Sequence, residues 1–451
     1  MSSKSFLFTL AVFLFFSVSA SAQNVSSINS RLDSLLTVLE TNNKAMVSVT
    51  ITQSGKIVYS RATGFIDNTG VSPVASTPET RYRIGSISKM FTSVMILQLV
   101  EEKKLSLETP LSKFFRKIPN ADSITIADLL NHHSGLFNFT NSEEYPKWMT
   151  EARTRKQMLE LIEGQKPVFA PREKGEYSNT NFVLLGYIIE EVTGKSYQEN
   201  LSARITLPLG LKNTLYAGKV NHASNEASSF EYADGKWIML PETDMSIPGG
   251  AGSVLSTTPD LNEFISALFN GQLISENSLK SMTTLKDNYG LGIFKIPFYE
   301  RSSYGHTGGI DGFSSTLSYF SADKVSLAFC SNGLNYKMND ILIGILSLYF
   351  EKPYTIPSFK TVSLPLVNLS AYEGEYTSEQ LPLVITVRMD GDNLTAQATG
   401  QPAFPLEATS TTEFRFDKAG IVMIFSISDT GEVNGFTLRQ GADYIFKKVR
   451  K

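Results

Sequence analysis

The spacing of apolar side chains predicts a helix near the N-terminus, followed by a β-hairpin. In residues 28–40, "INSRLDSLLTVLE", apolar residues recur every three or four positions, which places them on one helical face. The next stretch, "AMVSVTITQSGKIVYSRATGF", has two runs rich in β-branched residues on either side of Ser54-Gly55. Two such runs joined by a short turn with glycine are typical of a β-hairpin.

The middle of the chain has the pattern of a helical region between two groups of strands. Residues 90–100, "MFTSVMILQLV", are apolar on nearly every face, which predicts a helix buried on all sides. Helices and loops follow over 105–285, including a helix that ends at Gly194 and one with Pro259 in its first turn. Between 302 and 332 the pattern returns to strands around the turn "SADK". We therefore predict one domain whose sheet is completed by the two ends of this segment.

The C-terminal part of the chain has a different composition. Residues 353–368, "PYTIPSFKTVSLPLVN", carry three prolines and few helix signals, which is typical of a linker. From 369 to 451, short β-rich runs alternate with the turn sequences "DGDN", "DKAG" and "DTGE". About eight short strands in this length predict a small antiparallel barrel. The main domain is then expected at 23–352 and the barrel domain at 369–451.

Residues 1–22, "MSSKSFLFTLAVFLFFSVSASA", have the pattern of a secretory signal peptide. Lys4 supplies a positive charge, a short apolar run follows, and Ala20-Ser21-Ala22 forms a small-residue cleavage site. The alternative is an uncleaved anchor, for which the apolar run is short. We expect an exported protein, periplasmic or secreted, that starts at Gln23 and keeps no stable membrane anchor.

The composition argues against several partners and cofactors. The net charge of −3 at pH 7 provides no electrostatic basis for binding nucleic acid or an anionic membrane. The one cysteine, Cys330, can form no internal disulfide and lies in an apolar run typical of a buried strand. His132 and His133 in "NHHSGL" lack the nearby third ligand of a metal site. We predict a structural role for both histidines, and no metal or other cofactor.

The segment "RIGSISKMFT" contains Ser86 and Lys89, three positions apart at the start of the apolar helix. On a helix this spacing puts both on one face, with Ser86 near free backbone N–H groups that can stabilise an oxyanion. Burial would lower the pKa of Lys89 and let a neutral amine accept the serine proton. The alternative is a capping serine beside a lysine whose charged end reaches solvent. A second Ser-x-x-Lys, Ser321 to Lys324, shows that the spacing alone has little specificity.

Two further motifs favour a nucleophilic hydrolase. "GEYSNTNF" contains Tyr177-Ser178-Asn179, the one Tyr-x-Asn in the chain, and "YGHTGGIDGF" contains its one His-Thr-Gly, His306 to Gly308. A serine hydrolase needs a base, a proton donor for the leaving group, and donors for the substrate and the oxyanion. Tyr177 can move protons, Asn179 can donate to a substrate carbonyl, and the Thr-Gly pair can bind a substrate by strand addition. Taken separately, each motif also fits a packed tyrosine or a histidine at a turn.

In this order, the three motifs resemble those of the serine β-lactamase and penicillin-binding-protein superfamily. The Tyr-x-Asn form resembles the class C-like group, and the His-Thr-Gly form is closest to its soluble D-alanyl-D-alanine carboxypeptidases. The resemblance covers about residues 45–350 and implies an α+β fold, with an antiparallel sheet flanked by helices and an all-helical region. The C-terminal segment, with "YEGEY" near its start, resembles the lipocalin-like barrel appended to some of these hydrolases.

The resemblance also implies a role for each motif residue. Ser86 would be acylated, and Lys89 and Tyr177 would share the acid and base work, which leaves open which of them takes the serine proton. The backbone N–H groups of Ser86 and Gly309 would form the oxyanion hole. The substrate-binding residues implied by the resemblance are Asn179, His306, Thr307, Gly308 and Gly309. A histidine at 306 in place of lysine lacks a permanent charge, which weakens the case for a β-lactamase.

We therefore expect an exported serine hydrolase that forms an acyl-enzyme on Ser86, similar to a D-alanyl-D-alanine carboxypeptidase or a D-amino-acid peptide hydrolase. The alternatives are a β-lactamase or carboxylesterase of the same superfamily, or a penicillin-binding protein that is acylated without turnover. The expected partners are a small peptide, a cell-wall peptide, a β-lactam or an ester. Arg301, close to His306 in sequence, is the candidate for binding a substrate carboxylate.

Overall fold

The structure, a computed structural model, describes residues 26–449 except for residues 71, 363, 429 and 441. The predicted signal peptide lies outside the described residues. One unit of the chain is Ala45–Gly333, and the other contains the described residues before and after it. Within the described residues, no helix is both long and apolar enough to cross a membrane.

The larger unit is built around a six-stranded sheet. Its strands, in chain order with the shorter ones, are β1 (Ala45–Gln53), β2 (Lys56–Ala62), β3 (Phe65–Asp67), β4 (Val74–Ala75), β5 (Tyr82–Arg83), β6 (Leu215–Tyr216), β7 (Phe230–Ala233), β8 (Lys236–Met239), β9 (Val254–Ser256), β10 (Phe294–Phe298), β11 (Arg301–Ile310), β12 (Phe313–Phe320) and β13 (Val325–Leu334). The sheet order is β10-β11-β12-β13-β1-β2, so the N-terminal hairpin completes a sheet formed by much later strands. This arrangement confirms the prediction that both ends of the segment share one sheet.

Local sequence signals account for the turns of this sheet. Ser54 and Gly55 form the β1–β2 turn with φ of 49° and 78°, the left-handed pair that suits a two-residue hairpin. The "SADK" segment forms the turn between β12 and β13, as predicted. Cys330 is fully buried in β13, which confirms its predicted position in a strand.

The helices lie mainly between β5 and β10. In chain order they are α1 (residues 26–41), α2 (Ser88–Glu101), α3 (Ile126–Leu130), α4 (Tyr145–Trp148), α5 (Arg155–Glu163), α6 (Asn179–Thr193), α7 (Tyr197–Leu201), α8 (Leu207–Leu209), α9 (Thr258–Phe269), α10 (Glu276–Thr283), α11 (Met338–Tyr349) and α12 (Leu366–Leu369). Helix α6 ends at Gly194, whose φ is 66°, and α9 has Pro259 in its first turn. Both ends agree with the sequence prediction.

Helix α2 is the central helix of the larger unit. Eleven of its residues are buried, and they lie on all sides of the helix, as its sequence predicted. Phe91 on α2 stacks on Phe264 of α9, with ring centroids 3.8 Å apart. A helix enclosed in this way holds its first turn, which includes Lys89, in a fixed position away from water.

The other unit contains α1, α11 and a closed barrel. The barrel strands are β14 (Gly374–Thr377), β15 (Val384–Asp390), β16 (Asn393–Ala398), β17 (Phe404–Ala408), β18 (Glu413–Phe416), β19 (Ile421–Ile427), β20 (Val433–Arg439) and β21 (Asp443–Lys448). Buried rings fill its interior, among them Tyr376, Phe425 and Phe436, with centroids 4.9 to 5.9 Å apart. The predicted eight-stranded antiparallel barrel is confirmed. In the predicted linker, residues 353–362 contain no helix or strand, whereas the short helix α12 begins at Leu366, before the predicted end of the linker.

Candidate active site

Ser86 lies in a single 3-10 turn, Gly85–Ile87, directly before α2 rather than in α2 itself. Gly85 has a φ of 49°, and a Cβ atom at this position would lie 2.8 Å from the backbone of Gly309. Only glycine fits this conformation and this contact without strain. The serine turn therefore rests directly on β11.

Gly308 provides a second close contact between the serine segment and β11. A Cβ atom at Gly308 would lie 2.0 Å from the carbonyl oxygen of Ile84. The same carbonyl accepts a hydrogen bond of 2.9 Å from the Ser315 hydroxyl. These contacts fix the position of Ser86 relative to Gly309, the two residues whose N–H groups were predicted to form the oxyanion hole.

A side chain at Gly308 is expected to separate the two segments. We predict that Gly308→Ala lowers the free energy of unfolding by about 1–3 kcal/mol or more, because an added methyl group must displace the Ile84 backbone. Urea denaturation measures this change. Gly218→Ala is the matched control, since a Cβ atom there meets nothing within 4 Å. Equal stability of both variants would show that the contact between Ile84 and Gly308 is not tight.

Two side chains contact the Ser86 hydroxyl. Lys89 Nζ lies 2.9 Å from Ser86 Oγ, and the Tyr177 hydroxyl donates to the same oxygen at 2.7 Å. Lys89 also donates to Asn179 Oδ1 at 2.7 Å and to the Ala251 carbonyl at 2.8 Å. The structure thus brings the first two motifs together around one oxygen atom.

The environment of Lys89 favours its neutral form. Its side chain is fully buried, and burial places the pKa of Lys89 well below its ordinary value. Within the described part of the chain, no carboxylate pairs with it. The oxygens of Asn179 and Ala251 can only accept, so they take the two N–H bonds of a neutral amine. The remaining lone pair then faces the Ser86 hydroxyl.

Tyr177 has the opposite shift. Burial raises the pKa of Tyr177, with a smaller opposing effect from its hydrogen bond to Ser86. The phenol is therefore protonated at neutral pH and is a hydrogen-bond donor. Its ring lies under Lys89 Nζ, 4.9 Å from the ring centroid. The pair offers one proton acceptor and one proton donor to the same serine.

The loop between α3 and α4 holds Asn179 in place. The Asn179 backbone N–H donates to Asn138 Oδ1 at 3.0 Å, and Asn179 Nδ2 donates to Thr140 Oγ1 at 3.1 Å. The second bond fixes the amide so that Oδ1 faces Lys89. The sequence of this loop, "NHHSGLFNFTN", drew attention only for its two histidines. Its role in orienting Asn179 depends on contacts across about 40 residues, which no local pattern signals.

The third motif lies on β11, with its residues alternating between two faces. His306 is buried, its ring 4.8 Å from that of Phe294 and 6.3 Å from that of Tyr177. Its Nδ1–H donates to the carbonyl of Thr307, and burial lowers the pKa of His306 to about 3. His306 is thus a neutral neighbour of Tyr177, while the Thr307 side chain is exposed.

The structure does not support Arg301 as a carboxylate-binding residue. Its guanidinium forms ion pairs with Asp323, at 3.3 Å, and with Glu300. It also lies five residues from His306 along an extended strand, a separation of about 16 Å. Closeness in sequence therefore gave the wrong candidate.

A cleft of about 300 Å³ opens beside Ser86. The residues that line it include Ser86, Phe139, Tyr145, Met149, Asn179, Thr243, Gly309 and Asp311. Behind its wall, the buried Arg83 forms ion pairs with Asp311 at 3.1 Å and with Glu242 at 2.6 Å. Two carboxylates against one guanidinium leave this wall with a negative charge. Sequence analysis missed this network, since Arg83 and Asp311 are 228 positions apart.

Comparison with known proteins identifies the family. The family model "Beta-lactamase" matches residues 37–344, and a model described as a domain of unknown function (DUF3471) matches residues 360–450. The chain belongs to the β-lactamase and penicillin-binding-protein superfamily, and it is a serine hydrolase of that superfamily. The predicted superfamily and fold class are confirmed.

Three known proteins illustrate which members of the superfamily this chain resembles. The chain is 30% identical over 308 residues to the teichoic acid D-alanine hydrolase of Staphylococcus aureus, a match that spans 65% of this chain and 74% of that protein. It is similar to the structure of D-amino acid amidase from Ochrobactrum anthropi, with 26% identity, a TM-score of 0.60, and coverage of 72% and 98% of the two chains. The octameric penicillin-binding protein homologue from Pyrococcus abyssi matches 93% of this chain and 99% of its own, with 25% identity and a TM-score of 0.65.

Proposed function

We propose that this protein is an exported hydrolase that forms an acyl-enzyme on Ser86 with D-aminoacyl esters or amides. One observation carries the proposal: a fully buried lysine with no carboxylate partner among the described residues faces the hydroxyl of a serine that also accepts from Tyr177. This arrangement suits a serine whose proton is removed as it attacks.

In the proposed acylation, Ser86 Oγ attacks the substrate carbonyl while its proton moves to the neutral amine of Lys89. The backbone N–H groups of Ser86 and Gly309 stabilise the oxyanion that develops on the carbonyl oxygen. Collapse of this intermediate breaks the bond to the leaving group, which takes a proton from Tyr177. Tyr177 recovers its proton from Lys89, which restores the starting protonation state and leaves Ser86 acylated.

Water completes the reaction with the same two groups in the same roles. It attacks the acyl carbonyl as it gives a proton to the neutral amine of Lys89, and collapse of this intermediate displaces Ser86 Oγ, which takes a proton from Tyr177. Tyr177 then recovers its proton from Lys89, which restores the free enzyme. Among the two candidate bases for acylation, the lowered pKa of Lys89 and the raised pKa of Tyr177 favour Lys89 as the acceptor and Tyr177 as the donor.

Two observations support a D-aminoacyl group over the terminal peptide of a carboxypeptidase substrate. The names of two relatives, teichoic acid D-alanine hydrolase and D-amino acid amidase, share a D-amino acid. The wall beside the cleft carries excess negative charge from Asp311 and Glu242, and Arg83 is already paired with both. This charge attracts the α-ammonium of a free aminoacyl group and repels a substrate carboxylate.

A set of small substrates tests this preference. We expect the kcat/KM for D-alanine p-nitroanilide to exceed the kcat/KM for three other substrates. These are its N-acetyl derivative, its L-isomer and acetyl-D-alanyl-D-alanine. In the Glu242→Gln variant, the ratio of kcat/KM for D-alanine p-nitroanilide to kcat/KM for its N-acetyl derivative should fall severalfold. Glutamine can keep the bonds accepted from Arg83 and from the Val220 N–H, but it removes one negative charge. Faster cleavage of acetyl-D-alanyl-D-alanine would assign the protein to the carboxypeptidases instead.

Export is the part of the proposal that rests on residues 1–22 alone. N-terminal sequencing of the protein from the producing cells should begin at Gln23. A mature chain that starts at Met1 would remove export from the proposal and leave the chemistry at Ser86 unaffected.

A further inference from the structure

We infer that His132 is a positioning residue for the reaction, because it holds Tyr177 against Ser86 through the backbone on both sides of the tyrosine. This inference rests on the proposed function, since it assigns His132 a role in the proton transfer by Tyr177. Sequence analysis predicted a structural role for His132, and the inference makes that role specific.

Two hydrogen bonds to His132 bracket Tyr177. The N–H of Glu176 donates to the His132 carbonyl at 2.9 Å, and the N–H of Ser178 donates to His132 Nδ1 at 3.1 Å. His132 has a φ of 62°, an uncommon left-handed conformation for a residue with a side chain. His132 thus binds the backbone N–H groups of the residues before and after Tyr177, which restricts the backbone of the tyrosine.

The imidazole ring also supports the phenol directly. The rings of His132 and Tyr177 have centroids 4.6 Å apart and an interplanar angle of 32°. Because Nδ1 accepts from a backbone N–H, it carries no proton, and the ring is the neutral tautomer protonated on Nε2. A protonated Nδ1 could not accept from the Ser178 N–H, so protonation of the ring would break this bond.

The burial and hydrogen bonding of residue 132 explain why this residue is a histidine. His132 is 1% exposed, and its Nε2 has no hydrogen-bond partner among the described residues. An apolar side chain would avoid burying this polar atom, but it could not accept from the Ser178 N–H. The neighbouring His133 differs, because its ring lies 2.9 Å from Asp287 and 2.7 Å from the Asn131 carbonyl. His133 therefore serves as the matched control.

The test is a double-mutant cycle on the rate of acylation by a fluorescent penicillin, measured with the full chain. We expect His132→Leu to slow acylation about 10- to 100-fold, as a small displacement of a catalytic group does. In a Tyr177→Phe background the same change should slow it less than about threefold, because the two effects are coupled. His133→Leu should slow acylation by a similar factor in both backgrounds.

A conservative variant separates positioning from loss of folding. His132→Asn keeps a side-chain acceptor and tolerates the left-handed backbone, so it should recover most of the rate lost in His132→Leu. Equal effects of His132→Leu in the two backgrounds, or a folded His132→Asn as slow as His132→Leu, would overturn the inference. Acylation that persists in Ser86→Ala would instead overturn the proposed function, so the two failures are distinguishable.

Discussion

Ser86→Ala should lower the kcat for D-alanine p-nitroanilide by about 10⁴- to 10⁶-fold, the loss that follows removal of a nucleophile from a serine hydrolase. The variant should keep its fold, since Ser86 lies in a short turn fixed by Gly85 and by the contacts of Ile84. Release of p-nitroaniline measures the rate, and thermal unfolding measures the fold.

The chain contains its own control for this experiment. Ser321 occupies the same position in a second Ser-x-x-Lys, within the exposed turn between β12 and β13. Ser321→Ala should leave kcat unchanged. A loss confined to Ser321→Ala, or full activity in Ser86→Ala, would contradict the assignment of the nucleophile.

Lys89→Met should lower kcat by about 10²- to 10⁴-fold, because it removes the proposed base and leaves the serine proton without an acceptor. The same change should keep or raise the melting temperature at neutral pH. An unfolded lysine binds a proton up to its ordinary pKa of 10.5, whereas buried Lys89 releases it at lower pH. At pH 7, protonation of Lys89 therefore stabilises the unfolded chain and lowers the free energy of unfolding. This loss of stability disappears as the pH rises towards 10.5.

Lys324→Met is the corresponding control, because Lys324 is exposed and ends the second Ser-x-x-Lys. It should leave the rate unchanged. If Lys89→Met kept its activity, or if its stability followed the pH dependence of the wild type between pH 7 and 10, the neutral-lysine interpretation would fail.

The two Ser-x-x-Lys segments show what the sequence could predict about the site. Both have the same spacing, and only the first begins a helix that is apolar on nearly every face. That hydrophobic pattern predicted the burial that shifts the pKa of Lys89. The motifs of Tyr177 and His306 were equally visible, because each occurs once in the chain.

Other parts of the site depend on contacts that no local pattern records. The ion pairs of Arg83 join residues 159 and 228 positions apart, and the bond from Ser178 to His132 spans 46 positions. The same limit explains why Arg301 was the wrong candidate. It is close to His306 in sequence, but the extended strand β11 holds the two residues far apart. The fold was more predictable, since the hairpin at Ser54-Gly55 and the strand-rich C-terminal segment follow from short patterns of apolar residues and turns.

Intact-mass spectrometry of the protein after reaction with a penicillin tests the central claim most directly. A penicillin that acylates Ser86 opens its ring without losing atoms, so the adduct should equal the whole β-lactam and map to the peptide that contains Ser86. D-alanine p-nitroanilide should compete with its formation, and Ser86→Ala should form none. An adduct on another residue, or turnover of the anilide by Ser86→Ala at the wild-type rate, would contradict an acyl-enzyme on Ser86.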